Sequence, residues 1–210
     1  MQTARTDPGP PYVPIRTNGW SIRRTPRWAI AVGAVLVAIA VAVGLVHRPT
    51  SGQRGVDLRT FLHLLASDVQ SCSGGVGESL FVLHAIDSGA SHDVPTALGV
   101  ATTGASNCSP ANNPLLADLT GAQVPESLAS YHLQPAITAL IDWAAPRAAR
   151  VQADVATVLT DRGKPSEAAA RAALSRDLRA LDAQRKVFYA DLAPAITALS
   201  PQSRPPVLHG

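Results

Sequence analysis

Residues 141–178 read IDWAAPRAARVQADVATVLTDRGKPSEAAARAALSRDL, and the fold follows from how this stretch divides. Counting from Ile137 just upstream, Ile137, Ala144, Val151 and Val158 recur every seven residues, and Ile141, Ala148 and Val155 each stand four residues further on. Such a repeat lines one face of a helix from Ile137 to Leu159 with small and branched apolar groups. Pro146 interrupts the seam: without an N–H, and crowding the turn before it, it is expected to kink or divide the helix. Asp161 to Ser166 then reads as a stop and a start, with Gly163 as the first residue past the helix end, Pro165, and Ser166 as the next N-cap. A second seam runs from about Glu167 to Leu199. Leu174, Leu181, Phe188 and Ala195 form one row, and Leu178, Leu192 and Leu199 another, broken by Arg185. Two long seams on either side of a short turn predict an antiparallel pair.

Upstream, DLRTFLHLLASDVQSC (57–72) puts Phe61, Leu65, Val69 and Cys72 on one helical face, and Gly74–Gly75 reads as its stop. ESLFVLHAIDSG (78–89) reads as a second, shorter helix with Leu80, Leu83 and Ile86 along one side and Gly89 as its cap. These two would form a hairpin. Residues 91–124, dense in Ser, Thr, Asn, Pro and Gly, predict a short helix from Val94 to Gly104 and a helical turn from Leu115 to Leu119, with Cys108 between them. This is also the first place to look for a binding loop. The two cysteines, Cys72 and Cys108, form neither a CxxC nor a CxxCH motif and read as one disulfide. It would close a loop of about 37 residues and stabilise the fold by roughly 4 kcal/mol on the chain-entropy argument. The expected class is all-α: an up-down bundle of about four main helices, pinned by that bridge and preceded by a transmembrane helix.

The transmembrane expectation rests on Trp28 to Val46, which carries no charged residue. As a helix it spans roughly 28 Å, close to the hydrocarbon thickness of a bilayer. A cleavable signal peptide has a shorter apolar core with its small-residue site beyond it, whereas Ala40-Val41-Ala42 lies inside this run. A retained anchor is therefore expected. Arg23, Arg24 and Arg27 on one flank outnumber Arg48 on the other, and Trp20 and Trp28 suit an interface, so the N-terminus is placed in the cytoplasm. The resulting organisation is a disordered, basic, Pro-rich cytoplasmic tail (1–27), a transmembrane helix (28–46), a linker (47–56), an extracytoplasmic helical domain (57–200) and a flexible C-terminal tail (201–210). Ala34, Ala38 and Ala42 form a small-residue stripe through which two such helices would pack as a homodimer.

The formal charge of +3 belongs to the tail and flank. Residues 1–27 hold five arginines against Asp7, whereas residues 51–210 hold 12 Lys and Arg against 14 Asp and Glu. A slightly acidic domain offers no footprint for a phosphate backbone, so no nucleic-acid partner is expected; membrane lipid is the expected partner of the anchor. PGPPYVP (8–14) reads as a short extended lead-in.

Motifs for chemistry are sparse. His63, His84, His92 and His132 lie in the helical domain, and His84 and Asp87 share a helix face, but no HExxH accompanies them. Ser91-His92-Asp93 holds triad residue types as chain neighbours, which cannot present triad geometry. GGVG (74–77) lacks the lysine of a phosphate loop. Asn107-Cys108-Ser109 fits a glycosylation pattern only through a cysteine expected to be bridged. Glu167 reads as a carboxylate at the positive end of a helix. LQPAITAL (133–140) and LAPAITAL (192–199) repeat a motif read as shared helix-start chemistry or coincidence. No catalytic, metal or cofactor residue is assigned. The expected function is a membrane-anchored protein-binding or accessory module of the cell envelope. A small-molecule sensor or carrier using the bundle interior is the alternative, and a metal-dependent enzyme comes third.

Overall fold

A computed structural model describes residues 49–210. The tail at 1–27, the apolar run at 28–46 and its alanine stripe lie outside the described residues. Among those described, no helix is long and apolar enough to cross a membrane.

The described chain is helical, with no strand. Helix α1 (Ser51–Asp87) is followed by α2 (Val94–Asn107), α3 (Pro114–Thr120), a 3-10 turn (Glu126–Tyr131), α4 (Gln134–Asp142), a π-helical turn (Trp143–Ala148), α5 (Ala149–Thr160) and α6 (Glu167–Leu199). The rod from α4 through α5 runs alongside α1 in the same direction, since Ser79 of α1 meets Gln152 and Asp87 meets Arg162. Helices α2 and α6 run the opposite way. The result is an up-down-up-down bundle in which α2 is short, and α3 with the 3-10 turn continues its course beside the first half of α1. Cys72 and Cys108 are bonded and fully buried, joining the middle of α1 to the end of α2.

Gly74–Gly75 does not stop a helix. Helix α1 runs through both and on to Asp87, so the expected first hairpin is one long rod. Each glycine costs about 1 kcal/mol of helix propensity; at Gly75 packing offsets it, since a Cβ there would stand 3.0 Å from the Cα of Gly104 on α2, whereas Gly74 has nothing within 4 Å and faces the groove. Gly75 marks a close helix crossing. The true stop is Gly89, whose φ of 76° reverses the chain.

The later seams lie where the sequence puts them. Ile137, Ala144, Val151 and Val158 are buried, as are Leu174, Leu181, Phe188 and Ala195. Pro146 neither divides nor ends the rod. It sits in the π-helical turn, where wider spacing relieves the clash with the preceding turn and needs no proline N–H. Gly163 takes a φ of 73° but lies one residue further from the helix end than expected, because Asp161 is the cap of α5. Ser166 is the N-cap of α6 without a side-chain hydrogen bond. Glu167 instead ties down the preceding turn, accepting from the Gly163 N–H at 2.7 Å and from Arg171 Nε at 2.8 Å. These bonds, the backbone one foremost, hold its carboxyl below the usual range. The two LxPAITAL copies part company: Pro135 lies in the first turn of α4, whereas Pro194 lies inside α6.

Residues 201–210, read as a flexible tail, are packed onto the bundle. Leu208 is 3% exposed. Tyr189 Oη donates to the Pro206 carbonyl at 2.9 Å and accepts from the Leu208 N–H at 3.1 Å. Ser73 Oγ donates to the Val207 carbonyl and accepts from the His209 N–H. Arg185, which breaks the apolar row of α6, donates to the carbonyls of Leu208 and Gly210. Tyr189→Phe removes both phenol bonds, each worth about 1 kcal/mol. The Leu208 amide should then exchange its hydrogen roughly tenfold faster or more, while α1 amides keep their protection; equal protection in both proteins would refute the pinning role.

Candidate binding groove

A concavity of about 880 Å³ lies along the α1–α2 crossing and is open to solvent. Ser67, Gln70, Ser71, Gly74 and Glu78 form one wall from α1, and Thr96, Gly99, Val100, Thr103 and Asn107 form the other from α2. Leu115 of α3 stands at one end and is 45% exposed. The walls recede because their residues are small. The same i, i+4, i+7 stripe of α1 that carries Gly74 and Glu78 also carries Phe81, which is 71% exposed.

Beneath the groove Gly75, Gly104 and Gln152 fit together. Gln152 of α5 is fully buried and reaches between α1 and α2. Its Nε2 donates to Cys108 Sγ at 2.9 Å and to the Ala148 carbonyl at 3.4 Å, and its Oε1 lies 3.5 Å from Ser79 Oγ. Ser79 in turn donates to the Gly75 carbonyl at 2.7 Å. At the Leu115 end, Asn113 Nδ2 donates to Ser71 Oγ at 2.9 Å and to the Asn107 carbonyl at 2.8 Å, tying the loop after the disulfide back to α1.

The groove is built from the acidic part of the chain. No Lys or Arg occurs between Arg59 and Arg147, a stretch that includes seven acids, whereas residues 147–210 carry ten Lys and Arg against six acids. The near-neutral domain thus carries an acidic excess over residues 60–146, which supply both walls of the groove, and a basic excess over residues 147–210. At the Leu115 end, burial first and then the Asp118 carboxylate push the Asp68 carboxyl up. At the other end Asp93 accepts from the Thr96 N–H and hydroxyl, which keep its carboxyl low and charged.

A second cluster joins α5 to α6. The Asp154 carboxyl faces that of Asp177, and Asp154 Oδ2 is buried without a partner. Burial first, then Asp177, push Asp154 up to about 6 against the pull of Arg150 and Arg176. Its folded pKa lies above the unfolded value, so its contribution to stability is present at low pH and lost as pH rises through about 6. Asp154→Asn should therefore be neutral near pH 4 and stabilising by about 1 kcal/mol at pH 7, a figure reduced for solvent screening. Thermal melts across that range test this, and a variant no more stable than the parent at pH 7 would refute it.

The residues singled out from sequence scatter. His63, His84, His92 and His132 are exposed and do not meet. Asp87 is held by Arg162 and Arg171, each at 2.7 Å, and those bonds keep its carboxyl low. His132 takes a φ of 50° to end the 3-10 turn. Among the described residues no three His, Cys, Asp or Glu side chains converge as a metal site would require. Region 91–124 supplies one wall and one end of the groove. The local chemistry of Gly74–Gly75 is that of a break, which hides the α1 wall, and the near-zero net charge of the domain hides the acidic excess of residues 60–146. No family model, curated protein or solved structure matches the chain.

Proposed function

We propose that the protein is a single-pass, membrane-anchored module of the cell envelope whose extracytoplasmic helical domain binds a protein partner through the α1–α2 groove. The groove itself carries this reading. It is a long, open depression with small side chains along its walls, large exposed apolar groups at its ends, and a floor fixed by a disulfide and a buried glutamine. A rigid floor limits the ordering cost of association. The apolar run at 28–46 supports the anchor, and the disulfide supports an oxidising location.

The alternative, a carrier using the bundle interior, would need space among the helices. Trp143, Phe188, Leu65, Leu140, Leu181 and Leu192 fill it and are buried. Proximity labelling from the C-terminus of the full-length chain in its native membrane, with added protease on intact cells, tests the proposal. The domain should be cut from outside, and labelled neighbours should be lost when Thr103→Trp fills the groove. Protection from protease would remove the location, and neighbours unchanged by the filled groove would remove the site.

A further inference from the structure

We infer that the element occupying the α1–α2 groove is a basic, amphipathic helix of the partner protein; this rests on the groove being a partner site, as proposed above.

Charge chooses the sign. Both walls of the groove and its Leu115 end come from a stretch of chain with no Lys or Arg from residue 60 to 146. Glu78 lines one wall, with Asp93 next to Thr96 at that end and the Asp68–Asp118 pair at the other. Asp87 differs, being already neutralised by Arg162 and Arg171. The two groove ends thus present carboxylates that a cationic ligand would satisfy and an anionic one would meet as repulsion.

Shape and apolar content choose the element. From Ser67 to Glu78 α1 rises roughly 16 Å, about three helical turns, and the small walls let another helix approach closely. Val100 within the groove, Leu115 at one end and Phe81 beyond the other offer apolar contact. A ligand with Lys or Arg flanking an apolar stripe meets both demands; a helix in a groove reads as anchors at i, i+3, i+4 and i+7. A second copy would have to offer its basic α5–α6 side. Six of the ten Lys and Arg in residues 147–210 are already paired with carboxylates of their own chain, so what this region offers a second copy is a weak, salt-screened attraction rather than a seated helix. Such a contact would also join unlike faces and build an open chain of copies rather than a closed pair.

The test places a photo-crosslinking side chain at Gln70 or Thr103 in the groove, or at Arg179 on α6, of the full-length chain in its native membrane. The captured segments are then sequenced. The groove positions should capture a foreign segment rich in Lys and Arg with an apolar stripe at helical spacing. Capture should fall as salt is raised, and fall roughly fivefold with Glu78→Lys, as loss of about 1 kcal/mol requires. Asp118→Lys at the other end, also on an exposed side chain, should act the same way. A captured segment that is neutral or acidic, or indifferent to salt and to both reversals, would overturn the basic helix while leaving the groove as a partner site. Capture of a second copy's α5–α6 would replace the partner by self-assembly. Capture from Arg179 alone, or from none of the three, would remove both the helix and the site.

Discussion

A Cys72→Ser, Cys108→Ser double variant should lose about 4 kcal/mol of stability, the largest loss expected from any single covalent change. The closed loop spans a separation of 36 residues, so breaking it returns a large entropy to the unfolded chain. The apolar anchoring of α2 and α3 is thin: the segment is rich in Gly, Ser, Thr and Asn, and its buried apolar side chains between Val94 and Thr120 are few, chiefly Ala97, Ala101, Leu116 and Leu119. Denaturant unfolding should show the loss, and hydrogen exchange should show α2 and α3 losing protection ahead of α5 and α6. Uniform loss of protection would mean that the bridge holds the domain as a whole rather than its groove wall.

Gly104→Ala should cost about 3 kcal/mol despite adding one carbon, by combining overpacking with broken buried hydrogen bonds. The new Cβ would stand 1.8 Å from Gln152 Oε1 and 3.3 Å from the Gly75 carbonyl oxygen. The glutamine tip is flexible in itself, but it is buried and committed to Cys108 and Ala148, so its retreat leaves polar atoms unpaired. The effect should depend on that partner. In a Gln152→Ala background the same glycine substitution should cost about 1 kcal/mol, a coupling visible in a double-mutant cycle. Additive costs would show that the helix crossing, rather than the glutamine, sets the limit.

The C-terminal hairpin was legible because both its seams and its turn residues obey local rules. Ile137 to Val158 and Leu174 to Ala195 bury the rows that their spacing marks. Where the local signal misleads, either a tertiary contact overrules it or the helix itself absorbs it. Gly74–Gly75 has the chemistry of a stop, and only Gly104, some thirty residues on, turns it into a crossing. Pro146 has the chemistry of a break, and a one-residue widening of the helix absorbs it. The final ten residues have the composition of a loose end, yet Arg185, seemingly a flaw in an apolar row, and Tyr189 are what hold them. The groove was half legible, since its α2 wall falls in the stretch whose small polar residues marked it as a surface. Its other wall needed the uninterrupted α1.

An acidic excess over residues 60–146 and a basic excess over residues 147–210 give the domain a charge asymmetry that its net charge conceals. In dilute buffer, opposite faces of neighbouring molecules attract, and added salt screens that attraction over a Debye length of about 10 Å at 0.1 M. Solubility should therefore rise with ionic strength, and the same preparation should be retained by both cation- and anion-exchange resins.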